Sequence, residues 1–267
     1  MNKNQINRHV ILTSGRSGSN YLANVLNWHP NVVNYGEVLT KTIIPYKWYM
    51  KCKICPWSVT EYLEAFYSSR TLFYAAQFYS VYSHIRTGKP INLKRRKNVK
   101  SIGTKDFFLH YQLTKAENFL ISNKDIAIIY LYRENLLRRY LSMIFLNKTR
   151  VAKTEKKQTV QKVSIDIDHM IGYLKILETE RENENRILAV LQDHPLLAVK
   201  YEDYLLADQQ ATVIDYNKRI FEFLGVEPIE ILSNHQKILP QEMCKIIQNY
   251  DEFRACLINT QYEHYLD

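Results

Sequence analysis

Short apolar runs alternate along the chain with longer stretches in which apolar residues recur at helical spacing. Five runs predict strands because they are short and bounded by polar or turn-forming residues, and they lie at residues 9–14, 31–35, 101–105, 126–132 and 196–201. Helical spacing predicts helices that start near residue 21 and cover residues 58–86, 134–147, 166–191 and 209–224. Gly225 directly follows the last of these, where a glycine commonly ends a helix.

Strands and helices alternate almost throughout the chain. This order predicts an α/β fold in which a central parallel sheet of about five strands is covered by helices on both faces. No internal repeat or obvious linker interrupts the pattern, so residues 1–267 are predicted to form a single domain. Residues 153–162 are strongly polar and predict a mobile segment.

The composition is that of a globular protein with an excess of positive charge. Hydrophobic residues make up 46% and charged residues 24% of the chain, and seven glycines and seven prolines are about half the usual share. These values exclude collagen-like, low-complexity and largely disordered proteins. Thirty-six Lys and Arg against 27 Asp and Glu give a net charge of +9. That excess favours an anionic partner and leaves nucleic acid, acidic lipid and a phosphorylated small molecule open.

The sequence lacks the features of a secreted or membrane-spanning protein. Residues 1–9 have no signal-peptide core, and nowhere do about 18 apolar residues run together. Four dispersed cysteines, Cys52, Cys55, Cys244 and Cys256, are too few for a disulfide framework. We therefore predict a cytoplasmic protein with reduced thiols and no integral membrane association. Cys52 and Cys55 have the spacing of half a zinc site or a redox pair, but no second pair accompanies them, so no metal site is predicted.

A glycine-containing loop joins the first predicted strand to the first predicted helix. Gly15 and Gly18 are two of only seven glycines, and glycine permits a positive φ and close approach of the backbone to a ligand. The N–H groups of a helix's first turn point at any anion placed in such a loop. Arg16 adds a guanidinium, and Ser17 and Ser19 add hydroxyl donors. The loop therefore predicts an anion site, and the alternative is an ordinary helix start with Ser17 or Ser19 as N-cap.

The loop lacks the residues of an ATP-binding P-loop. Gly15 is not followed by four residues, a second glycine, a lysine and a Ser or Thr. ATP hydrolysis normally depends on a metal ion to neutralise the terminal phosphate. A sulfuryl group carries less charge, so loop amides, hydroxyls and one cation would suffice to hold it.

Residues 16–21 and 132–142 together carry a family resemblance. The first block resembles the 5′-phosphosulfate loop of the sulfotransferases that use 3′-phosphoadenosine 5′-phosphosulfate (PAPS). The second resembles their 3′-phosphate motif, in which an arginine and a serine hold the phosphate. Here these are Arg133 and Ser142, and their spacing is that of the bacterial carbohydrate sulfotransferases of the trehalose and nodulation-factor type.

The resemblance implies PAPS as co-substrate and 3′,5′-adenosine bisphosphate as product, with no metal. The implied PAPS-binding residues are Gly15, Arg16, Ser17, Gly18, Ser19, Asn20, Tyr21, Arg133 and Ser142. Arg133 leaves the end of a predicted strand, where open parallel sheets bind ligands, and Ser142 lies on the following helix. The alternative is an ordinary helix with Arg138 and Arg139 exposed and Ser142 facing a carbonyl.

The resemblance extends over most of the chain and implies a three-layer, P-loop-like fold. Blocks at residues 200–204, 221–226 and 249–254 are similar to blocks in the bacterial members. Residues 40–100 match nothing in the family, which implies a variable helical insertion that shapes the acceptor-binding pocket.

Three residues are candidates for the chemistry. Glu37 follows the second predicted strand, and related bacterial enzymes have a glutamate at this place, so it is the predicted base; the alternative is a residue that caps a turn. Arg16, where many members have lysine, would stabilise charge on the bridging oxygen but donates a proton poorly. Lys105 is a second predicted cation, or a surface lysine. His110 is a weaker candidate for the base, since a lone histidine is more often a structural partner.

The resemblance implies transfer of a sulfuryl group from PAPS to a hydroxyl of a small molecule or glycan, with a carbohydrate or glycolipid as the expected class. Rival functions are a P-loop-type nucleotide kinase or NTPase and a non-catalytic basic binder of nucleotides or nucleic acid; no nucleic-acid partner is predicted. The basic run of residues 94–97, with Lys100, predicts a solvated face, and the alternative is a run that steers an anionic cofactor or a polyanionic acceptor. A cluster of aromatic residues is expected in the core rather than at a sugar platform, with one exposed ring that stacks on a sugar as the alternative: Phe66, Phe73, Tyr74, Phe78 and Tyr79.

Overall fold

The computed structural model describes residues 6–51, 57–88, 90–149, 161–206, 209–233, 239–240 and 242–266. Cys52 and Cys55, together with most of the polar segment predicted at residues 153–162, lie outside these residues.

Five parallel strands form one sheet, as the alternation of strands and helices predicts. The strands are β1 (Asn7–Thr13), β2 (Val32–Asn34), β3 (Ser101–Phe107), β4 (Ala127–Tyr132) and β5 (Leu196–Lys200). Their order across the sheet is β2-β3-β1-β4-β5. In the central pairings Asn7 lies opposite Ser101 and His9 opposite Ala127. The α/β fold with a central parallel sheet of five strands is thus confirmed.

Helices cover both faces of this sheet. They are α1 (Ser19–Trp28), α2 (Ile44–Lys51), α3 (Val59–Ser68), α4 (Arg70–Thr87), α5 (Phe108–Thr114), α6 (Glu117–Ser122), α7 (Leu136–Thr149), α8 (Ile167–Val190), α9 (Tyr201–Leu205), α10 (Gln210–Phe223) and α11 (Tyr250–Ala255). Short 3-10 helices lie at Arg96–Asn98, Met243–Lys245 and Glu263–Tyr265. The helical stretch predicted at residues 58–86 is two helices, because Ser69 ends α3 and caps α4 by accepting a hydrogen bond from the N–H of Leu72.

The alternation of side chains along the strands divides the core between the two faces. Val10 and Leu12 of β1 pack with α3, α5 and α6 on one face, while Ile11 packs with α1, α9 and α10 on the other. A third cluster joins α7 and α8 to the C-terminal residues. Helix α8 links two clusters, since Leu177 belongs to the third and Ile187 to the first.

A buried histidine ties the three strands nearest the N-terminus together. The Asn34 amide donates to Nε2 of His9 at 3.1 Å, and Nδ1 of His9 donates to Oγ of Ser101 at 2.8 Å. Burial lowers the pKa of His9 to about 3, so the ring is neutral at physiological pH. Gly103 makes room for it, because a Cβ there would lie 2.3 Å from the carbonyl oxygen of His9.

All five strands point the same way, so their carboxyl ends meet at one edge of the sheet. This edge carries the loop after β1 and the segments that leave β2, β3, β4 and β5.

Candidate functional site

The loop after β1 makes a tight turn into α1. Gly18, the N-cap of α1, has φ 83°, and a Cβ there would lie 2.5 Å from Cδ1 of Leu205. Both the left-handed backbone and the close approach of α9 therefore require glycine. The second left-handed residue is Arg16, with φ 68°, and not Gly15 as the glycine pattern suggested. A non-glycine residue held in this region stores some backbone strain.

Ser17 is part of the internal structure of the loop. Its hydroxyl donates to the carbonyl oxygen of Ser14 at 2.8 Å and also contacts Oγ1 of Thr13, and only 1% of the residue is exposed. The expectation that Ser17 offers a free hydroxyl donor is therefore wrong, and so is its alternative role as N-cap. No side chain of the described residues caps α1, and in its first turn the N–H of Tyr21 donates to the carbonyl oxygen of Gly18 at 2.9 Å. The N–H groups of Ser19 and Asn20, which precede it, are therefore open to a ligand.

The two blocks that suggested a nucleotide site lie in contact. Nε of Arg16 donates to Oγ of Ser142 at 3.0 Å, and Nη1 of Arg133 donates to the carbonyl oxygen of Arg16 at 3.4 Å. Arg133 is nine-tenths buried, and its guanidinium stacks 4.4 Å from the centroid of the Tyr201 ring. Residues distant in sequence thus form one cationic pocket between the loop, α7 and α9.

Arg133 is only partly neutralised. Its buried Nε has no hydrogen-bond partner among the described residues, and the carboxylate nearest to it belongs to Glu202, with Oε1 3.9 Å away. The same carboxylate accepts the N–H groups of Glu134 and Asn135. Because buried polar groups in proteins are usually hydrogen-bonded, this Nε is a candidate donor to a bound anion.

Two more arginines of α7 lie in this region, which the sequence analysis did not assign. Arg139 is buried, donates from Nε to the carbonyl oxygen of Gly15 at 2.8 Å, and pairs with Glu180 at 2.5 Å. Arg138 donates to the carbonyl oxygen of Pro240 at 3.1 Å. The alternative in which both arginines are exposed is therefore wrong for Arg139.

The charge of Arg133 acts on both Arg16 and Arg138. Burial and then the charge of Arg133 lower the pKa of Arg16, and the same two causes lower the pKa of Arg138. Burial is the main cause that lowers the pKa of Arg133 itself. The guanidiniums make this part of the structure strongly cationic.

A buried carboxylate of α8, that of Glu184, binds the loop after β1. Glu184 is 2% exposed and accepts hydrogen bonds from the hydroxyl of Ser14 and, at 2.9 Å, from that of Tyr130. Arg139 and Arg181 approach it at 3.9 and 3.8 Å. The sequence offers one indication that Glu184 is buried. It lies at helical spacing after Leu177, on the apolar side of α8, where an acidic residue is unusual.

A lysine and a glutamate form a second charged group at the same edge. Nζ of Lys105 contacts Oε1 of Glu37 at 2.5 Å and Oδ1 of Asn20 at 3.2 Å. Lys105 is only 2% exposed, so the alternative of a surface lysine is wrong. Glu37 lies three residues past β2 rather than at its end, and the N–H of Lys105 donates to the carbonyl oxygen of Gly36 at 2.9 Å.

His110 is engaged in the structure of this edge. Its Nδ1 contacts Oδ1 of Asp106 at 2.6 Å. The carboxylate of Asp106 is buried and also accepts the N–H groups of Val38 and Leu39 at 2.8 and 3.0 Å. This arrangement agrees with a histidine that acts as a structural partner.

Tyr21 does not turn toward the loop. Its hydroxyl accepts a hydrogen bond from the N–H of Ser233 at 3.4 Å, and its ring meets Tyr204 edge to face. Of the predicted PAPS-binding residues, the structure thus brings Gly15, Arg16, Gly18, Arg133 and Ser142 together. Tyr21 instead lies on the side of α1 that faces Tyr204.

A cavity of about 310 Å³ opens beside the loop. Its walls come from the loop, the end of β3 and helices α5, α7 and α8, and they combine aromatic and aliphatic side chains with a few amides and charged groups. The lining residues include Gly15, Arg16, Phe107, Leu109, Gln112, Met143, Tyr173 and Asn183.

The basic run and the aromatic cluster are each divided between core and surface. Lys94 is 6% exposed and donates from Nζ to the carbonyl oxygens of Asn27, at 2.6 Å, and of Val32. Burial lowers its pKa to about 7, so the prediction of a fully solvated run is wrong at this residue. Of the aromatic cluster, Phe66 and Phe73 are buried, but Tyr74, Phe78 and Tyr79 are exposed, contrary to the expectation of a core.

Within the part of the chain that the structure describes, no group of three or more His, Cys, Asp or Glu side chains is placed to hold a metal ion. Among the same residues, no helix has the length and apolar character needed to cross a bilayer.

Neither a protein-family model nor a curated protein matches this sequence. Among solved structures, the chain is similar to a sulfotransferase from Alicyclobacillus acidocaldarius. The similarity covers 98% of this chain and 99% of that one, with 12% sequence identity and a TM-score of 0.49.

Proposed function

We propose that this protein transfers the sulfuryl group of PAPS to a hydroxyl group of an acceptor. The observation that supports this proposal best is the contact between the two distant blocks: Arg16 of the first touches both Ser142 and Arg133 of the second. A single ligand that carries two anionic ends fits this pocket, because it would meet both blocks at once.

The donor's 3′-phosphate would lie against Arg133, Arg138 and Ser142. Nε of Arg133 supplies a buried donor without a partner, and a phosphate would relieve the repulsion that lowers the pKa of Arg138. The 5′-phosphosulfate would lie in the loop after β1, at the uncapped N-terminus of α1. AMP lacks the first of these two anionic ends, so the pocket should discriminate against it.

The charges at the loop suit a sulfuryl group better than the terminal phosphate of ATP. The loop has neither the lysine nor the following hydroxyl residue of an ATP-binding P-loop. The cations at the loop are arginines and one buried lysine of β3, Lys105, and the arginines are Arg16, Arg133 and Arg139. This difference disfavours the rival function of a nucleotide kinase or NTPase.

In the proposed reaction the acceptor oxygen attacks sulfur in line with the bond to the bridging oxygen. The new O–S bond forms as that S–O bond breaks, and its electron pair leaves with 3′,5′-adenosine bisphosphate. Glu37 takes the proton from the acceptor hydroxyl, while Lys105 and Arg16 stabilise the charge that develops on the sulfonate and the bridging oxygen. The guanidinium of Arg16 does so electrostatically, since it is a poor proton donor.

The cavity between α5, α7 and α8 is a suitable place for the acceptor. It begins at Gly15 and Arg16, and its aromatic and amide groups are those that bind sugars by stacking and hydrogen bonding. Asp106, which holds His110 on α5, also binds the N–H groups of Val38 and Leu39 directly before residues 40–100. We therefore keep the start of that segment, next to Val38 and Leu39, as the second part of the acceptor site.

Titration with 3′,5′-adenosine bisphosphate against AMP tests the proposal. We expect the bisphosphate alone to raise the melting temperature by several degrees, because only it reaches both parts of the pocket. Arg133→Ala should abolish this response. Arg219→Ala is the matched control, since Arg219 also stacks on a tyrosine ring, Tyr216, but lies on α10 away from the loop.

Equal stabilisation by the bisphosphate and AMP would contradict the 3′-phosphate assignment. Magnesium-dependent phosphate release from ATP would favour the kinase, and binding to random DNA without competition from the bisphosphate would favour a nucleic-acid binder.

A further inference from the structure

One long stretch of the chain carries no negative charge. From Ala65 to Lys105 the sequence contains no Asp or Glu, and it contains nine Lys and Arg residues. The acids that border the stretch are engaged elsewhere: Glu64 pairs with Arg8 at 2.9 Å, and Asp106 is buried. The basic side chains of this stretch therefore have no neutralising neighbours in their own segment.

An apolar stripe runs along the exposed side of α4 in this stretch. Tyr74, Phe78, Tyr82 and Ile85 are spaced by four, four and three residues, so they lie on one side of the helix. Their exposed fractions are 43, 70, 63 and 65%. A neighbouring side of α4 packs into the protein through Phe73 and Gln77. Contiguous exposed apolar stripes are uncommon on soluble proteins and mark interaction sites.

The segment after α4 folds back along the helix and adds two exposed apolar residues. Nδ1 of His84 contacts the carbonyl oxygen of Pro90 at 2.7 Å, and the N–H of Lys94 donates to Oε1 of Gln77 at 3.0 Å. Between these two contacts lie Ile91 and Leu93, which are 55 and 60% exposed.

Exposed cations border this apolar area. They are Arg86, Arg95, Lys97 and Lys100, and none of these four forms an ion pair within the described ranges of the chain. Lys100 directly precedes β3, so this area lies at the amino edge of the sheet, opposite the edge that carries the candidate site. We call the six apolar residues and these four cations the α4 surface.

We propose that the α4 surface binds the headgroup region of a membrane that contains anionic phospholipids. Tyrosine rings are suited to the boundary between hydrocarbon and water, and Phe78 and Ile85 provide the apolar groups that enter it. The surrounding Lys and Arg would be attracted to acidic headgroups. A helix that lies flat on the bilayer needs no membrane-spanning segment.

The charge distribution favours lipid over other partners. A symmetric contact between two copies would place like charges opposite one another, which opposes self-association. Nucleic acid would match the charge, but the aliphatic side chains of Ile85, Ile91 and Leu93 neither stack on bases nor donate hydrogen bonds. An acidic bilayer uses both chemical features of the surface.

Co-sedimentation with vesicles tests this proposal independently of the proposed enzymatic activity. We expect the protein to sediment with phosphatidylcholine vesicles that contain about 30% phosphatidylserine, and not with phosphatidylcholine alone. The variant Phe78→Ser/Tyr82→Ser/Ile85→Ser should reduce the partition coefficient about tenfold or more. Arg95→Glu/Lys97→Glu should do the same, and added salt should weaken binding of the unmodified protein.

Matched controls distinguish binding through the α4 surface from nonspecific hydrophobic adsorption and from an effect of net charge. Leu113→Ser/Ile176→Ser/Val190→Ser removes three equally exposed apolar side chains elsewhere, and Lys175→Glu/Arg186→Glu makes the same charge change on α8. Both should leave vesicle binding intact.

Three results would overturn the proposal. These are no sedimentation with acidic vesicles, binding that survives the α4 substitutions, and a dimer in light scattering that those substitutions dissociate. Binding of RNA in competition with acidic vesicles, lost in the same variants, would assign the surface to nucleic acid instead.

Discussion

At the scale of single residues, Lys105 and Glu37 place a cation and a carboxylate next to each other at the carboxyl edge of the sheet. The ammonium is buried and contacts both a carboxylate and the Asn20 amide oxygen. In the proposed reaction the lysine serves the sulfonate and the glutamate serves the acceptor, so the two side chains mark where donor and acceptor meet.

Replacing Glu37 by glutamine tests its role as the base. We expect Glu37→Gln to lower turnover about 10²-fold or more, because the amide cannot take the acceptor proton, and to leave bisphosphate binding unchanged. Steady-state kinetics with PAPS and a titration with the product give both values. His110→Gln is the control, because it removes the other candidate base; a larger loss in that variant would move the role to His110.

The burial of Lys94 leads us to predict how the free energy of unfolding depends on pH. Its pKa is about 7 in the folded protein against 10.5 in the unfolded chain, because burial disfavours the charged form. Between these values the unfolded chain binds more protons, so Lys94 makes the free energy of unfolding rise from about pH 7 to about pH 10.5. Denaturant unfolding across this range should show a shallower rise in Lys94→Met; an equal slope in both proteins would contradict the assignment.

The sequence placed charged residues well where a strand end positions them. Glu37 and Arg133 follow predicted parallel strands and Lys105 ends one, and parallel strands deliver their ends to one edge. Lys94 and Arg139 lie in short basic runs, and such a run does not show which of its members is buried. The buried acid at residue 184 was missed for the same reason.

At the scale of elements, the turn from β1 into α1 depends on one glycine. We expect Gly18→Ala to lower the free energy of unfolding by about 2–4 kcal/mol and the melting temperature by about 5–15 °C. The causes are a left-handed alanine and the clash with Leu205. Thermal melts without ligand measure the change.

Gly15→Ala is the control for this prediction. Gly15 belongs to the same loop, its φ is not left-handed, and a Cβ there would meet nothing within 4 Å. Its melting temperature should stay within a few degrees of the unmodified protein. Equal destabilisation by the two substitutions would show that the loop is sensitive in general rather than at Gly18.

The predicted bounds of helices and strands were most accurate where the pattern of apolar residues was long. Helix α8 was predicted at residues 166–191 and observed at Ile167–Val190, because its apolar spacing persists over many turns. The short α5 and α6 were not predicted, since helices of one or two turns owe their stability to tertiary packing. The contact of Arg16 with Ser142 likewise depends on how α7 packs, which no local pattern specifies.

At the scale of the whole molecule, the three apolar clusters share elements. Both faces of β1 contribute, and α8 joins the cluster around α7 to the sheet through Ile187. We therefore expect calorimetry to show one cooperative unfolding transition with equal calorimetric and van't Hoff enthalpies, as the prediction of a single domain requires. A separate transition that Phe253→Ala alone shifts would instead make α7, α8 and the C-terminal residues an independent unit; Phe66→Ala is the control in the first cluster.

The first strand of the chain occupies the centre of the sheet, and neither neighbour is a nearby segment. Asn7 pairs with Ser101, and His9 with Ala127. During translation the apolar β1 therefore leaves the ribosome on the order of 5–20 s before either partner exists, at about 5–20 residues per second. A nascent chain of this protein should depend on chaperones that shield β1 until β3 and β4 have been made.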